Sequence, residues 1–186
     1  LTLTNVANGI GDFTLDASGS SGVITITNNN ATSTSEPHIL TGGSANDTLT
    51  GATANDTITG GSGDDTIDGG ARNDTLSGGE GNDTITTGAG TDTVTGGAGN
   101  DTIVLGANWS SSDTFDGGEG TDTATLDVTT TVAPAFTSVE RVTVGFTTGG
   151  AFNAGNTTNL ERITLEEAST GTGASAVVIN VPTGVQ

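Results

Sequence analysis

The 186-residue chain is rich in Gly and Thr but poor in large apolar residues, with 31 Gly, 39 Thr, 5 Phe, 1 Trp and no Tyr. This composition argues against a helical bundle or an α/β enzyme, because both need more helix formers and a larger apolar core. A net charge of −19, with 22 acidic residues against 3 Arg, excludes binding to nucleic acid or anionic lipid, and the absence of Cys excludes disulfides and thiolate zinc sites.

Residues 1–41 precede the regular part of the sequence and form a predicted N-terminal β flank, either as rungs or as a cap. The segments 13–18 and 23–26 combine Thr with apolar residues, which favours strands. His38 is the only His, and we expect it to lie at a turn or edge that caps the first coil. The chain begins without Met, so we expect it to be part of a longer protein.

A nonapeptide repeat occupies the middle of the chain. Seven contiguous units run from Gly42 to Val104, and the first two read GGSANDTLT and GATANDTIT. Position 7 of each unit is Thr, and position 8 is always Leu, Ile or Val. After a longer loop, which carries Trp109, an eighth unit ends at 113–116, and a ninth covers 117–125. We expect Trp109 to cover an edge of the fold. Position 6 of the nine units is Asp47, Asp56, Asp65, Asp74, Asp83, Asp92, Asp101, Asp113 and Asp122.

The period of nine predicts a flattened coil. Positions 7–9 are extended, so that only the side chain at position 8 points inward, and the Gly-rich positions 1–6 reverse the chain. Two units then complete one turn, which places each unit directly over the unit two further along, about 4.8 Å away. One aliphatic residue per unit lines a thin core.

Stacking also brings the Asp side chains into columns, where they repel one another unless a cation lies between them. Calcium fits such a column because it accepts six to eight oxygens from carboxylates and backbone carbonyls in flexible geometry. Magnesium demands a tighter octahedron, and zinc prefers His or Cys. We expect about five to seven Ca²⁺ ions, and seven would lower the net charge from −19 to about −5, an ordinary value for a soluble protein.

Residues 42–125 resemble the calcium-binding β-roll of RTX proteins, whose consensus is G-G-x-G-x-D-x-U-x. The resemblance implies an all-β, right-handed parallel β-roll or β-helix solenoid, and export from Gram-negative bacteria by type I secretion. It also implies that carbonyls of positions 1–4 join the Asp side chains as calcium ligands. The backbone ligands implied are Gly42, Ser44, Gly60, Gly61, Ser62, Gly63, Gly69, Gly70, Ala71, Arg72, Gly78, Gly79, Glu80, Gly81, Gly88, Gly90, Gly96, Gly97, Ala98, Gly99, Gly117, Gly118 and Gly120.

Several units depart from the consensus. Ala45, Ala52, Ala54 and Arg72 stand where Gly is expected, and Thr87 replaces a first-position Gly. A residue with a side chain in the left-handed conformation costs about 1–2 kcal/mol. We therefore expect the sites around the first two units to be the weakest.

Residues 126–186 form a predicted C-terminal segment of β-helix rungs or a small sandwich. Segments 138–144 and 159–165 both read apolar-Glu-Arg-apolar-Thr-apolar, 21 residues apart, and 125–128 and 177–181 look similar. Their Glu-Arg pairs could form a charge ladder between rungs. This arrangement after the repeats resembles segments of RTX-type surface-layer proteins.

Function is predicted to be structural rather than catalytic, since the sequence has no HExxH or Gly-x-Ser-x-Gly motif and no Cys. We expect a calcium-stabilised segment of a secreted bacterial cell-surface protein, most like a surface-layer subunit, that folds on calcium binding and assembles with copies of itself. The alternatives are the RTX segment of a large adhesin and the non-catalytic RTX tail of a secreted hydrolase or toxin. Ice binding through Thr rows is a weaker alternative, because only Thr53 with Asn55 fits the turn pattern of calcium-roll ice binders.

Overall fold

A computed structural model describes residues 1–4, 13–27, 37–106, 108–128, 135–146, 151–153, 159–167 and 178–180. Within these residues the regular structure is β-strand throughout, so this part of the chain has no helix able to span a membrane. The strands are β1 (Thr2–Thr4), β2 (Phe13–Asp16), β3 (Thr25–Thr27), β4 (His38–Thr41), β5 (Thr48–Ala52), β6 (Thr57–Ser62), β7 (Thr66–Gly70), β8 (Thr75–Glu80), β9 (Thr84–Thr86), β10 (Thr93–Ala98), β11 (Thr102–Gly106), β12 (Thr114–Glu119), β13 (Thr123–Val128), β14 (Ala135–Thr137), β15 (Arg141–Phe146), β16 (Ala151–Asn153), β17 (Arg162–Glu167) and β18 (Val178–Asn180).

Successive strands alternate between two parallel sheets. Sheet A holds the nine odd-numbered strands from β1 to β17, and sheet B holds the seven even-numbered strands from β14 to β2. Strands β16 and β18 form a separate parallel pair. Each nonapeptide therefore contributes one strand to one sheet, and the next contributes to the other. This arrangement confirms the predicted all-β parallel solenoid with two units per turn.

The register follows the repeat. Thr57 of β6 lies beside Thr75 of β8, and Thr66 of β7 lies beside Thr84 of β9, an offset of 18 residues or two units. At the longer loop of the eighth unit the offset becomes 21 residues, and Thr93 lies beside Thr114. The extra residues are accommodated in the loop, and the strands pair again beyond it, with one register shift between Val104 and Gly106 where β11 meets β13. Position n therefore stacks on the same position two units later, as predicted.

The core is a single line of apolar side chains between the two sheets. All position-8 residues are at most 2% exposed, including Ile58, Ile67 and Leu76. The core thickens near its C-terminal end, where the rings of Phe115 and Phe136 stack with centroids 5.4 Å apart. So narrow a core buries little apolar area per rung, and the turns must supply further stabilisation.

Sheet A continues beyond the repeats on both sides. In the C-terminal segment β15 pairs with β17, and Arg141 lies beside Arg162, which matches the 21-residue spacing in the sequence. This is the arrangement of successive β-helix rungs. It places like charges side by side at the two Arg, not the opposite charges of a ladder. Strand β18 falls within the predicted strand 177–181, whose residues 177 and 181 lie outside the described part.

The glycine at position 2 of a turn can lie so close to the neighbouring rung that a side chain would not fit. Gly79 has a φ of 121°, and a Cβ there would overlap the carbonyl oxygen of Gly61. We expect Gly79→Ala to lower the free energy of unfolding by about 1–3 kcal/mol from its backbone conformation alone. Thermal unfolding with calcium present measures the change.

Gly19 provides the matched control, because a Cβ there would meet no atom within 4 Å. Gly19→Ala should change the free energy of unfolding by no more than about 1 kcal/mol. Equal losses for the two variants would contradict the close stacking of the turns.

Candidate calcium-binding turns

The position-6 aspartates lie inside the molecule, at the point where each turn enters the next strand. Burying a carboxylate is costly unless its oxygens find partners. The missing side chain of the first glycine makes room for it: a Cβ on Gly60 would overlap the Oδ2 atom of Asp65. All nine are at most 2% exposed, namely Asp47, Asp56, Asp65, Asp74, Asp83, Asp92, Asp101, Asp113 and Asp122.

One oxygen of each carboxylate joins a ladder between rungs. The backbone N–H of Asp47 donates to Oδ1 of Asp65 at 2.7 Å, and the N–H of Asp65 donates to Oδ1 of Asp83 at 2.8 Å. The turns on the opposite edge repeat this pattern, with the N–H of Asp56 donating to Oδ1 of Asp74 at 2.8 Å. The aspartates therefore form two columns, one along each edge of the solenoid, as the sequence predicts.

The second oxygen is different. Five of these carboxylates have a buried Oδ2 atom with no hydrogen-bond partner among the residues that the structure describes, and they are Asp65, Asp74, Asp83, Asp101 and Asp122. Leaving a buried acceptor unpaired costs about 1–3 kcal/mol, and more for a charged group. The same unpaired oxygen recurs in five turns of the roll, which indicates a common ligand that is cationic.

Burial shifts the titration of these groups in the metal-free chain. Burial, together with the smaller effect of the neighbouring carboxylates of Asp56 and Asp92, raises the pKa of Asp74 to about 8. Burial likewise raises the pKa of Asp65 and of Asp122 to about 6. Without a cation, the folded state therefore favours the protonated form of these acids.

Carbonyl oxygens share the space around each unpaired Oδ2. The position that a Cβ on Gly60 would occupy is in contact with both Oδ2 of Asp65 and the carbonyl oxygen of Gly78. Among the described residues no group of three acidic or His side chains converges, so an ion here must take most of its ligands from the backbone. A set of carboxylate and carbonyl oxygens is what Ca²⁺ prefers. The residues present therefore fit calcium.

Comparison with protein families agrees with this geometry. The model for the RTX calcium-binding nonapeptide repeat matches in four copies, over residues 41–71, 68–103 and 109–124. The chain carries RTX calcium-binding repeats. Comparisons with curated proteins and with solved structures found no match. Apart from Thr41, the matched residues lie within the predicted roll, and the rest of the two flanks lies outside the match.

The RTX turns fall into two backbone types. In the third to seventh units and in the ninth, the residues at positions 2 and 4 have positive φ, as in Gly61 at 120° and Gly63 at 109°. In the first two units, by contrast, neither Ala45, Ala52 nor Ala54 has a positive φ. The prediction that these alanines impose left-handed strain is therefore wrong, because the first two turns adopt another conformation.

Arg72 carries the strain instead. It occupies position 4 of the fourth unit with a φ of 86°, where the neighbouring repeats have Gly. We expect Arg72→Gly to raise the free energy of unfolding of the calcium-loaded chain by about 0.5–1 kcal/mol, since relief of strain exceeds the added entropy of the unfolded chain. Thermal unfolding of the loaded chain measures it. Arg72→Ala is the control, because it removes the cation but keeps the strain, and a gain as large as that of Arg72→Gly would contradict this origin.

Residues outside the repeat end the Asp columns. His38 begins one column: its N–H and its ring Nδ1 both contact Oδ1 of Asp56, at 2.8 and 2.9 Å. His38 thus caps this Asp column, as predicted, but it begins strand β4, which lies between β2 and β6, so the predicted turn or edge position is wrong. Glu140 ends the other column, with its Oε2 accepting the N–H of Asp122 at 2.8 Å. The Glu-Arg pattern did not predict this role of Glu140, although the residue lies 18 residues after Asp122, the spacing of two units.

Trp109 and Ser110 belong to the longer loop before the eighth strand of the roll. The ring N–H of Trp109 donates to the carbonyl oxygen of Asp127 at 2.9 Å, and the ring packs against the core. Trp109 thus lies against the core beside β13, and its predicted cover of an edge stays a prediction. The N–H of Ser110 donates to Oδ2 of Asp113 at 2.6 Å. The inserted loop therefore donates a hydrogen bond to the aspartate at its own end, Asp113.

A second ladder runs along the exposed rim of the turns, at position 5. The N–H of Asn82 donates to Oδ1 of Asp64, and the N–H of Asn100 donates to Oδ1 of Asn82, both at 2.8 Å. In this rim ladder the side chain binds the following rung, whereas in the Asp columns it binds the preceding one. Neighbouring rungs are thereby joined in both directions at each turn. The Asn residues thus have a structural role in the repeat.

Proposed function

We propose that the chain is a calcium-stabilised structural segment of a secreted bacterial cell-surface protein, and that it folds when calcium binds after export. One observation carries the proposal: unpaired, buried carboxylate oxygens recur in turn after turn of a solenoid whose core is one side chain wide. The apolar contacts per rung are few, so the turns decide whether rungs stack. A cation in the turns converts their repulsion into attraction.

Calcium supply would then control when the chain folds. Inside a cell free calcium is scarce, so the charged turns and the entropy of the many glycines oppose folding. Outside, calcium at millimolar concentration fills sites of the extracellular type, whose dissociation constants are about 0.1–1 mM. An unfolded chain before export and a folded one after it suit a type I secretion route, which RTX repeat proteins typically use.

The surface-layer assignment draws its support from the flanks. Both ends of sheet A extend past the repeats in parallel register, so the solenoid is longer than the family match. An elongated rod of this kind suits a structural lattice. The RTX part of an adhesin, or the tail of a secreted hydrolase or toxin, would share the roll itself.

Electron microscopy distinguishes these functions. On addition of calcium, a surface-layer segment is expected to form two-dimensional crystals or ordered sheets, whereas an equal concentration of magnesium should leave it dispersed. The experiment requires a prior check by circular dichroism that the calcium-loaded chain is folded. Folded particles that remain single at every calcium concentration would rule out the lattice and favour the adhesin or the tail.

A further inference from the structure

We propose that the roll contains two kinds of turn, and that the turns at 42–47, 51–56 and 110–113 bind no calcium because the chain itself supplies a donor to the carboxylate. Calcium is instead held at Asp65, Asp74, Asp83, Asp101 and Asp122. The inference rests on the proposed function, since it assumes calcium in the second group. It distinguishes calcium-binding turns from calcium-free turns, which the repeat pattern treats as equivalent.

The first observation is the partner of Oδ2. In the first turn the N–H of Gly43 donates to Oδ2 of Asp47 at 2.7 Å, and in the second the N–H of Ala52 donates to Oδ2 of Asp56 at 3.0 Å. The five turns assigned to calcium leave this oxygen buried and unpaired. An amide hydrogen directed at Oδ2 brings its partial positive charge to the place where a cation would bind. It also removes the cost of burying that oxygen.

The second observation is the backbone conformation that delivers the donor. Gly43 and Ala52 occupy position 2 of their units, and neither has a positive φ. Their counterparts Gly61, Gly70 and Gly79 have φ values of 120°, 100° and 121°, and the Asp of each of these units keeps an unpaired Oδ2. The conformation of position 2 therefore distinguishes the first two turns from these three. At residue 52 the sequence fixes the choice, because the side chain of Ala disfavours positive φ.

The third observation comes from the neighbours of these turns. His38 directs its backbone N–H and its ring Nδ1 to Oδ1 of Asp56, so both oxygens of this carboxylate are occupied by protein atoms. Both oxygens of Asp47 are occupied as well, since the N–H of Ile24 donates to its Oδ1 at 2.7 Å. In the inserted loop, Ser110 contacts both oxygens of Asp113.

The consequence is a metal-free end to the roll. Residues 38–58 can stack on the N-terminal flank with every position-6 carboxylate satisfied, whereas the later rungs need an ion in their turns. The first two turns offer a preformed edge against which the calcium-dependent rungs assemble. The first two units thus hold no ion, whereas the consensus alone predicts weak sites there.

Counting bound ions tests the assignment. Native mass spectrometry of the calcium-loaded full chain should give the same number of Ca²⁺ ions for the wild type, Asp47→Asn and Asp56→Asn. Asp74→Asn and Asp83→Asn should each lose at least one ion. Loss of an ion from Asp56→Asn, in a chain that circular dichroism finds folded, would overturn the proposal.

A measurement on the wild-type chain guards against variants that do not fold. Anomalous diffraction from crystals grown with calcium, or with terbium in its place, is expected to place ions next to Oδ2 of Asp65, Asp74 and Asp83, and none at Asp47 or Asp56. An ion at either of the latter would refute the two kinds of turn. A folded wild-type chain with no bound ion at all would refute the proposed function itself.

Discussion

Removal of calcium with EDTA at pH 8.5 is expected to abolish the far-ultraviolet β-signal of residues 60–122. At this pH the aspartates of the turns are ionised once the metal leaves. Each of five buried Oδ2 atoms then lacks a partner, at about 1–3 kcal/mol apiece, and the total is as large as the whole net stability of an ordinary domain. Circular dichroism during chelation measures the loss, and re-addition of calcium should restore the signal with a midpoint between about 0.1 and 1 mM.

Magnesium is the matched control for this experiment. It requires a near-ideal octahedron and gives up its water reluctantly, so at the same concentration it should restore little of the β-signal. A roll that keeps its full signal in EDTA would show that the turns are stable without metal. Recovery with magnesium equal to that with calcium would show that the turns do not select the larger ion.

Acidification is expected to act in opposite directions with and without calcium. In EDTA, lowering the pH from 8.5 to 5 should restore part of the β-signal. Folding raises the pKa of Asp74 from 3.8 to about 8 and those of Asp65 and Asp122 to about 6, chiefly through burial. Between pH 3.8 and 8 the folded state binds more protons than the unfolded state, so its stability falls as the pH rises through this range.

With calcium present, acidification has the opposite effect on stability. Protons compete with the ion for the same carboxylates, so acid releases calcium and destabilises the loaded roll. Thermal unfolding as a function of pH, once with EDTA and once with calcium, tests both pH dependences. In EDTA, Asp74→Asn should remove the change in stability near pH 8. Asp16 is an exposed carboxylate whose pKa is lowered by its hydrogen bonds with Ser18, so Asp16→Asn should leave that change unaltered. A metal-free chain that loses stability on acidification from pH 8.5 would contradict the burial of these acids.

The repeat made much of the fold accessible from sequence. Position 8 carries an aliphatic residue in the seven contiguous units, and Ile58, Ile67 and Leu76 lie in the core as predicted. Strict spacing of nine predicted that Asp47 lies by Asp65 and Asp56 by Asp74, and the N–H contacts between them confirm it. These features depend only on the local period and on the alternation of a strand, so they can be derived without knowledge of distant contacts.

Other features could not be derived in this way. The consensus predicted strain at Ala45, Ala52 and Ala54, but the first two turns avoid positive φ. Among the substituted positions only Arg72 is left-handed. Glu140 and Ser110 were missed because neither belongs to a nonapeptide, although each contacts an Asp of the columns. Backbone conformation in a turn depends on the rungs above and below it, which a local pattern does not contain.

By itself the sequence determined the period, the inward aliphatic residues, the two columns of Asp and the preference for calcium, because these follow from residue types at fixed spacing. Only the tertiary structure decided which carboxylates are left with an unpaired oxygen. That outcome depends on whether the N–H of a residue such as Ala52 turns toward Asp56, and on neighbours such as His38 that stacking brings into contact. Hydrogen bonds between residues distant in sequence form only when the rungs are in place.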